Sequence, residues 1–273
     1  MRVMALSINV RKPQFKFDSS VPRHWLAQSP FRTHLCNSFT LLFPTGEKFF
    51  IRSLQKFVPT LQDATLQQEA KLFIRQEAQH ALEHDKFLTN LREQGYEIDG
   101  ILRLVEDVIT KFVESRTSDE FRLALTAGFE HLTSLLAEIG LEENFFEHAH
   151  PQMKALFEWH ALEEIEHRSV AFDVLQSVDK SYLRRAAGLM SAYLILSGLT
   201  GYVTANLLWQ DKVLLKKHTI REGLNVFILE HALLPKAMGI FARYLRPGFH
   251  PGEQNHLEAL IKKFFPDEVP GVA

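Results

Sequence analysis

Apolar residues recur at helical spacing along nearly the whole chain from Phe31 onward, and runs of Val, Ile and Thr bounded by tight-turn dipeptides are missing. The pattern predicts an all-α protein. Pro44-Thr45-Gly46 reads as a helix start, with Glu47, Phe50, Leu54 and Phe57 on one stripe and a stop near Pro59. A long helix follows over about 63–93, closed by Gly95, and an amphipathic helix over 97–116. Ser118 or Asp119 caps a helix that reaches about Gly140, residues 142–150 form a polar connection, and Pro151 opens a helix to about Ser177. A last amphipathic helix covers about 219–245, Pro247, Pro251 and Gly252 interrupt the pattern, and a short basic helix spans about 254–265. Residues 1–30, punctuated by Pro13, Pro22 and Pro30, read as a loose arm.

One segment departs from amphipathic spacing. Residues 186–209 carry no charge and lie between Arg184-Arg185 and Asp211-Lys212. The stretch is long enough to cross a bilayer. Ser191, Ser197, Thr200, Thr204 and Asn206 moderate its apolar character. It fits a helix buried in the protein or in a homodimer contact, a helix lying on a membrane surface, or a true span.

Composition narrows the function. The 273 residues include 31 Lys+Arg and 33 Asp+Glu, a net charge of -2, so the basic excess of a nucleic-acid binder is absent. Cys36 is the sole cysteine and the first residues lack a signal-peptide pattern, which together predict a cytoplasmic protein. The 22 Phe point to large apolar contacts, and the 13 His to metal or proton chemistry.

Glu-x-x-His places a carboxylate and an imidazole on one helical face. It occurs four times: Glu77/His80, Glu147/His150, Glu164/His167 and Glu253/His256. The second lies in the polar connection and the fourth beside Pro251-Gly252. Glu77/His80 and Glu164/His167 sit in the middle of long amphipathic helices, where such groups are costly unless paired or ligating. Each pair follows a glutamate on the preceding helix: Glu77 lies 30 residues after Glu47, and Glu164 lies 34 after Glu130. Two glutamates and two Glu-x-x-His pairs are the ligand set of a ferritin-like four-helix bundle, in which they hold two metal ions. Four carboxylates balance two divalent cations, and oxygen donors with a few imidazoles suit iron or manganese, with zinc compatible. His160, in His160-x-x-x-Glu164-x-x-His167, and His84, beside Glu77 and His80, are each an extra ligand or a group that orients one. Glu163 and Glu166 face elsewhere on their helix, as solvated or outer groups, and His131 reads as structural.

The segments FPTGEKFF, RQEAQHALEH, FEHLT and WHALEEIEHRSVAFDV resemble a bacterial family described as predicted metal-dependent hydrolases, over most of the chain. The His-x-x-x-Glu-x-x-His arrangement is also similar to that of di-iron arylamine N-oxygenases. That second resemblance implies iron ligands at Glu47, Glu77, His80, Glu130, His160, Glu164 and His167, although Glu47 falls near the expected start of its helix. The expectation is one domain over 1–273: an arm (1–30), a metal-binding bundle (31–178) and additional helices (179–273). The leading functional expectation is a di-iron enzyme that uses O2 and an electron donor to oxidise a small apolar, acyl or aromatic substrate. The alternatives are a metal-dependent hydrolase and a non-enzymatic metal-binding or membrane-associated protein.

Overall fold

A computed structural model describes residues 8–229, 233–253, 260, 263 and 264. Helices dominate, and among the described residues there is no strand, only an isolated antiparallel bridge between Leu26 and Ala149. The helices are α1 (Pro30–Gln55), α2 (Ala64–Glu93), α3 (Asp99–Asp107), α4 (Asp119–Glu142), α5 (Pro151–His167), α6 (Val170–Val178), α7 (Tyr182–Gln210), α8 (Lys217–Leu224) and α9 (Leu233–Tyr244). The expected basic helix over 254–265 and His256 fall largely outside the described residues.

Four helices close a ring: α1 packs on α2 and α4, and α5 packs on the same two. Their starts are capped as the sequence demands. The Ser29 side chain accepts from Arg32 N–H, that of Asp63 from Thr65 and Leu66 N–H, and that of Ser118 from Phe121 N–H. Pro151 opens α5 at a position where a missing N–H costs nothing.

Three expectations need correction. Pro44 does not start a helix; it lies inside α1, which begins fourteen residues earlier behind the Ser29 cap and Pro30. The run from Phe31 to Phe43 is itself helical, and Glu47 is consequently mid-helix. The helix from Pro151 does not reach Ser177 unbroken. It breaks at Arg168 and Ser169, where Arg168 Nη1 donates to the Ile165 carbonyl at 2.9 Å. The arm is not loose over 8–29. Val21, Trp25 and Leu26 are buried, Trp25 stacks on Phe157, and the Trp25 carbonyl accepts from His150 N–H. Residues 97–116 form α3 followed by a π-helical stretch, Val108–Glu114.

α7 lies across α1 and α4. Gly188 and Gly128 make the crossing with α4 a backbone-to-backbone contact: a Cβ on Gly128 would sit 2.8 Å from Leu189 Cα, and one on Gly188 would collide with the Ala124 carbonyl. By length and composition α7 could cross a membrane, but only 28% of its most apolar stretch is buried. The interior reading of 186–209 therefore holds for one face of the helix alone.

Candidate metal centre

The ring of four helices turns an unusual set of side chains inward. Glu47 comes from α1, Glu77, His80 and His84 from α2, Glu130 from α4, and His160, Glu164 and His167 from α5, all buried. Glu164 Oε1 lies 3.1 Å from His160 Nε2, 3.6 Å from His167 Nε2 and 3.7 Å from His80 Nδ1. Glu77 Oε1 lies 3.3 Å from His167 Nε2 and 3.6 Å from His80 Nδ1. Glu130 Oε2 approaches His167 Nε2 at 3.2 Å, and Glu47 Oε1 approaches His160 Nε2 at 3.9 Å. Glu77 and Glu164 are thus shared, with Glu47 on one side and Glu130 on the other.

Each of the three imidazoles turns one nitrogen to these carboxylates and is held by the other. His80 Nε2 donates to Glu163 Oε2 at 3.1 Å, and His167 Nδ1 donates to the Gln76 Oε1 amide oxygen at 3.0 Å. His160 Nδ1 is 2.8 Å from His84 Nε2, whose Nδ1 is 3.1 Å from Thr40 Oγ1. His84 therefore meets His160, not the carboxylates. The outer partners are anchored in turn: Arg11 bridges Glu163 at 3.1 Å and Glu166 at 2.7 Å, and Gln76 Nε2 donates to Glu166 Oε2 at 2.9 Å.

The electrostatics show how crowded the centre is. Burial, then the nearby Glu77, lift Glu47 far above the usual carboxylate range. Burial and the charges of Glu164 and Glu77 push Glu130 up to about 8. Burial alone would lower His80, but its hydrogen bond with Glu163 and the nearby Glu77 carboxylate outweigh it and push the ring up to about 10. Burial and the neighbouring His80 take His160 down to about 4, and burial with His160 depresses His84. For Glu164, the pull of His160 and His167 overrides burial and holds it well below the usual range.

Several of these atoms have no hydrogen-bond partner although they are fully buried: both carboxylate oxygens of Glu47, Glu77 and Glu130, Glu164 Oε2, His80 Nδ1 and His167 Nε2. Buried polar atoms left unsatisfied are expensive, and here they converge. Three groups have ligand atoms close enough to share an ion: Glu47/His80/His160, Glu77/His80/Glu164 and Glu77/Glu130/His167.

A family model described as "Predicted metal-dependent hydrolase" matches residues 9–255. The chain belongs to that family. No curated protein and no solved structure matches it. In this member of the predicted metal-dependent hydrolases the clusters could hold metal ions, and a cleft reaches them. The cleft has a volume of about 740 Å³ counted to its open mouth. His160 and Glu164 are among the residues that line it, and its walls include Phe39, Phe43, Leu136 and Phe157.

Gln76 and Arg11 were not expected at the centre; of the two alternatives for Glu163 and Glu166, the outer one holds and the solvated one does not. A signal existed: Glu163, Glu164, Glu166 and His167 crowd five positions of α5, and a helix interior cannot bury that density without an organised network. A second group, His24, His34 and Asp211, also brings ligand atoms together. There Asp211 Oδ2 accepts from both imidazoles at 2.7 Å while Oδ1 accepts from Arg23, so the carboxylate is already satisfied and closes the end of α7 onto α1 and the arm.

Proposed function

We propose that Glu47, Glu77, His80, Glu130, His160, Glu164 and His167 hold two divalent metal ions inside a ferritin-like ring of α1, α2, α4 and α5, and that the centre hydrolyses an apolar, acyl- or aryl-bearing substrate lying in the cleft. The observation that carries this reading is the convergence of orphaned carboxylate and imidazole atoms on one buried point. Four carboxylates match the charge of two divalent cations, and the family description favours hydrolysis. When bound, such a pair of ions supplies Lewis acidity and lowers the pKa of water.

The chain's own residues do the rest. Glu163 and Gln76 fix His80 and His167 so that His80 Nδ1 and His167 Nε2 face the carboxylates with their lone pairs. Donation from His160 Nδ1 to His84, and from His84 to Thr40, would leave the lone pair of His160 Nε2, 3.1 Å from Glu164 Oε1, for a metal ion. The aromatic and aliphatic walls of the cleft bind the apolar part of the substrate and exclude bulk water beside His160 and Glu164.

A second reading, O2-dependent oxidation at a di-iron centre, is favoured by the oxygen-rich donor set itself, because hard carboxylates with few imidazoles suit iron or manganese. Elemental analysis of protein purified without added metal, followed by assays with and without O2, separates the two. Two metals per chain with anaerobic ester or amide cleavage supports hydrolysis. Two irons, no anaerobic turnover and an O2-dependent absorbance change select oxidation. Full metal occupancy in both Glu130→Gln and Glu164→Ala overturns the centre altogether.

A further inference from the structure

The outer face of α7 and the segment after it are apolar where a solvated surface would be polar. Along α7, Leu183, Met190, Leu194 and Trp209 are exposed at 77%, 45%, 61% and 69%. Beyond it, Leu215 is 80% exposed, Ile220 51%, Leu224 50% and Leu229 69%. Apolar faces of this extent mark a contact with something else.

Two features say what that is. The first is charge. Lys212, Lys216, Lys217 and Arg221 are exposed among these apolar side chains, while the two acids of the same stretch are taken: Asp211 by Arg23 and the two imidazoles, Glu222 by Arg32 at 2.5 Å. Exposed Trp and Leu interleaved with exposed basic groups fit an anionic bilayer surface. The second is position. The segment is fastened on both flanks of the cleft. Phe227 packs on Phe31 one turn before Leu35 and Cys36, which line the cleft, and Lys236 pairs with Glu143 while Ala237 packs on Ile139, both lining residues. Leu224, Phe227, Ile228, Leu229, Leu234 and Met238 are exposed along the same segment.

We propose that the protein docks on an anionic lipid bilayer through α8, the start of α9 and the outer face of α7, lying on the surface with the mouth of its cleft against the lipid. An acyl-bearing substrate then passes from the bilayer into the cleft without crossing water. That last step rests on the catalytic reading of the metal centre; the docking does not.

The test is sedimentation of the full chain with vesicles of phosphatidylcholine alone and with about 30 mol% phosphatidylglycerol added, to give an anionic surface. The native chain is expected to pellet with the anionic vesicles at low salt. A Leu224→Glu/Leu229→Glu variant should bind at least about tenfold more weakly, and Lys216→Glu/Lys217→Glu should lose the preference for anionic lipid. Circular dichroism and metal stoichiometry unchanged in both variants confirm that the fold survives. Glu130→Gln, deprived of metal, should still pellet, which separates a failure of docking from a failure of the chemistry. Native protein that stays in the supernatant, or a dimer that Leu224→Glu/Leu229→Glu dissociates, overturns docking. Resistance to carbonate extraction would show a span and overturn the surface geometry.

Discussion

Glu163 shows how one side chain acts through another. It accepts from His80 Nε2 and is itself neutralised by Arg11. Glu163→Gln is expected to lower metal affinity by about 10–100-fold, the usual cost of losing such a partner, with the far-ultraviolet circular dichroism unchanged. Titration with a competing chelator measures it. Glu130 behaves in the opposite sense. Its carboxyl, pushed up to about 8 in the metal-free chain, is easier to ionise in the unfolded state, so it destabilises the fold increasingly as pH rises from about 4 towards 8. Glu130→Gln should therefore raise the melting temperature of metal-free protein at pH 7 while abolishing the rise that metal gives the native chain. By the same linkage, metal binding at pH 7 should release protons and weaken as pH falls. Calorimetry in buffers of different ionisation enthalpy reads the proton count. The inner residues were legible in the sequence because Glu-x-x-His is a local spacing. Gln76 and Arg11 were not, because they reach the centre only through His167, Glu163 and Glu166, and such contacts leave no periodic trace.

At the scale of elements, α7 is set by glycine. Because Gly188 and Gly128 let two backbones touch, Gly188→Ala must push α7 off α4, at a cost of about 1–3 kcal/mol or more. A urea melt checks this, and Gly198→Ala, which meets open space, is the control with little change. The other end of α7 is held by Asp211, whose carboxylate is kept well below the usual range: burial is overridden by hydrogen bonds with His34, His24 and Arg23. Its contribution is present above the ordinary carboxylate pKa and fades as pH falls through the lower one. Asp211→Asn should lower the urea midpoint at pH 7, with the gap narrowing below about pH 4. Helix starts were legible at Ser118 and Asp63, where a cap stands before an apolar stripe, but not at Ser29, whose cap went unread. Pro44 misled because proline marks a start only statistically, and the break at Arg168-Ser169 carries no Pro or Gly to announce it.

For the whole molecule, the proposed centre would couple metal binding to folding. The centre joins four helices, so ions that bind only the folded chain stabilise it by about 2.7 kcal/mol at a hundredfold excess over the dissociation constant. A chelator should lower the melting temperature accordingly, and metal should restore it. The all-helical class was visible from periodicity alone, whereas the two faces of α7 were not, since an uncharged stretch reads the same against protein and against lipid. The Arg11 bridge to Glu163 and Glu166 also bears on synthesis. The arm leaves the ribosome some 150 residues ahead of its acidic partners, a delay on the order of ten seconds at typical elongation speeds. Until then Arg11 lacks these two carboxylates, and the arm has no α5 to fasten on. A nascent chain arrested before residue 163 should therefore leave the arm open to protease, and one arrested far beyond 167 should shield it.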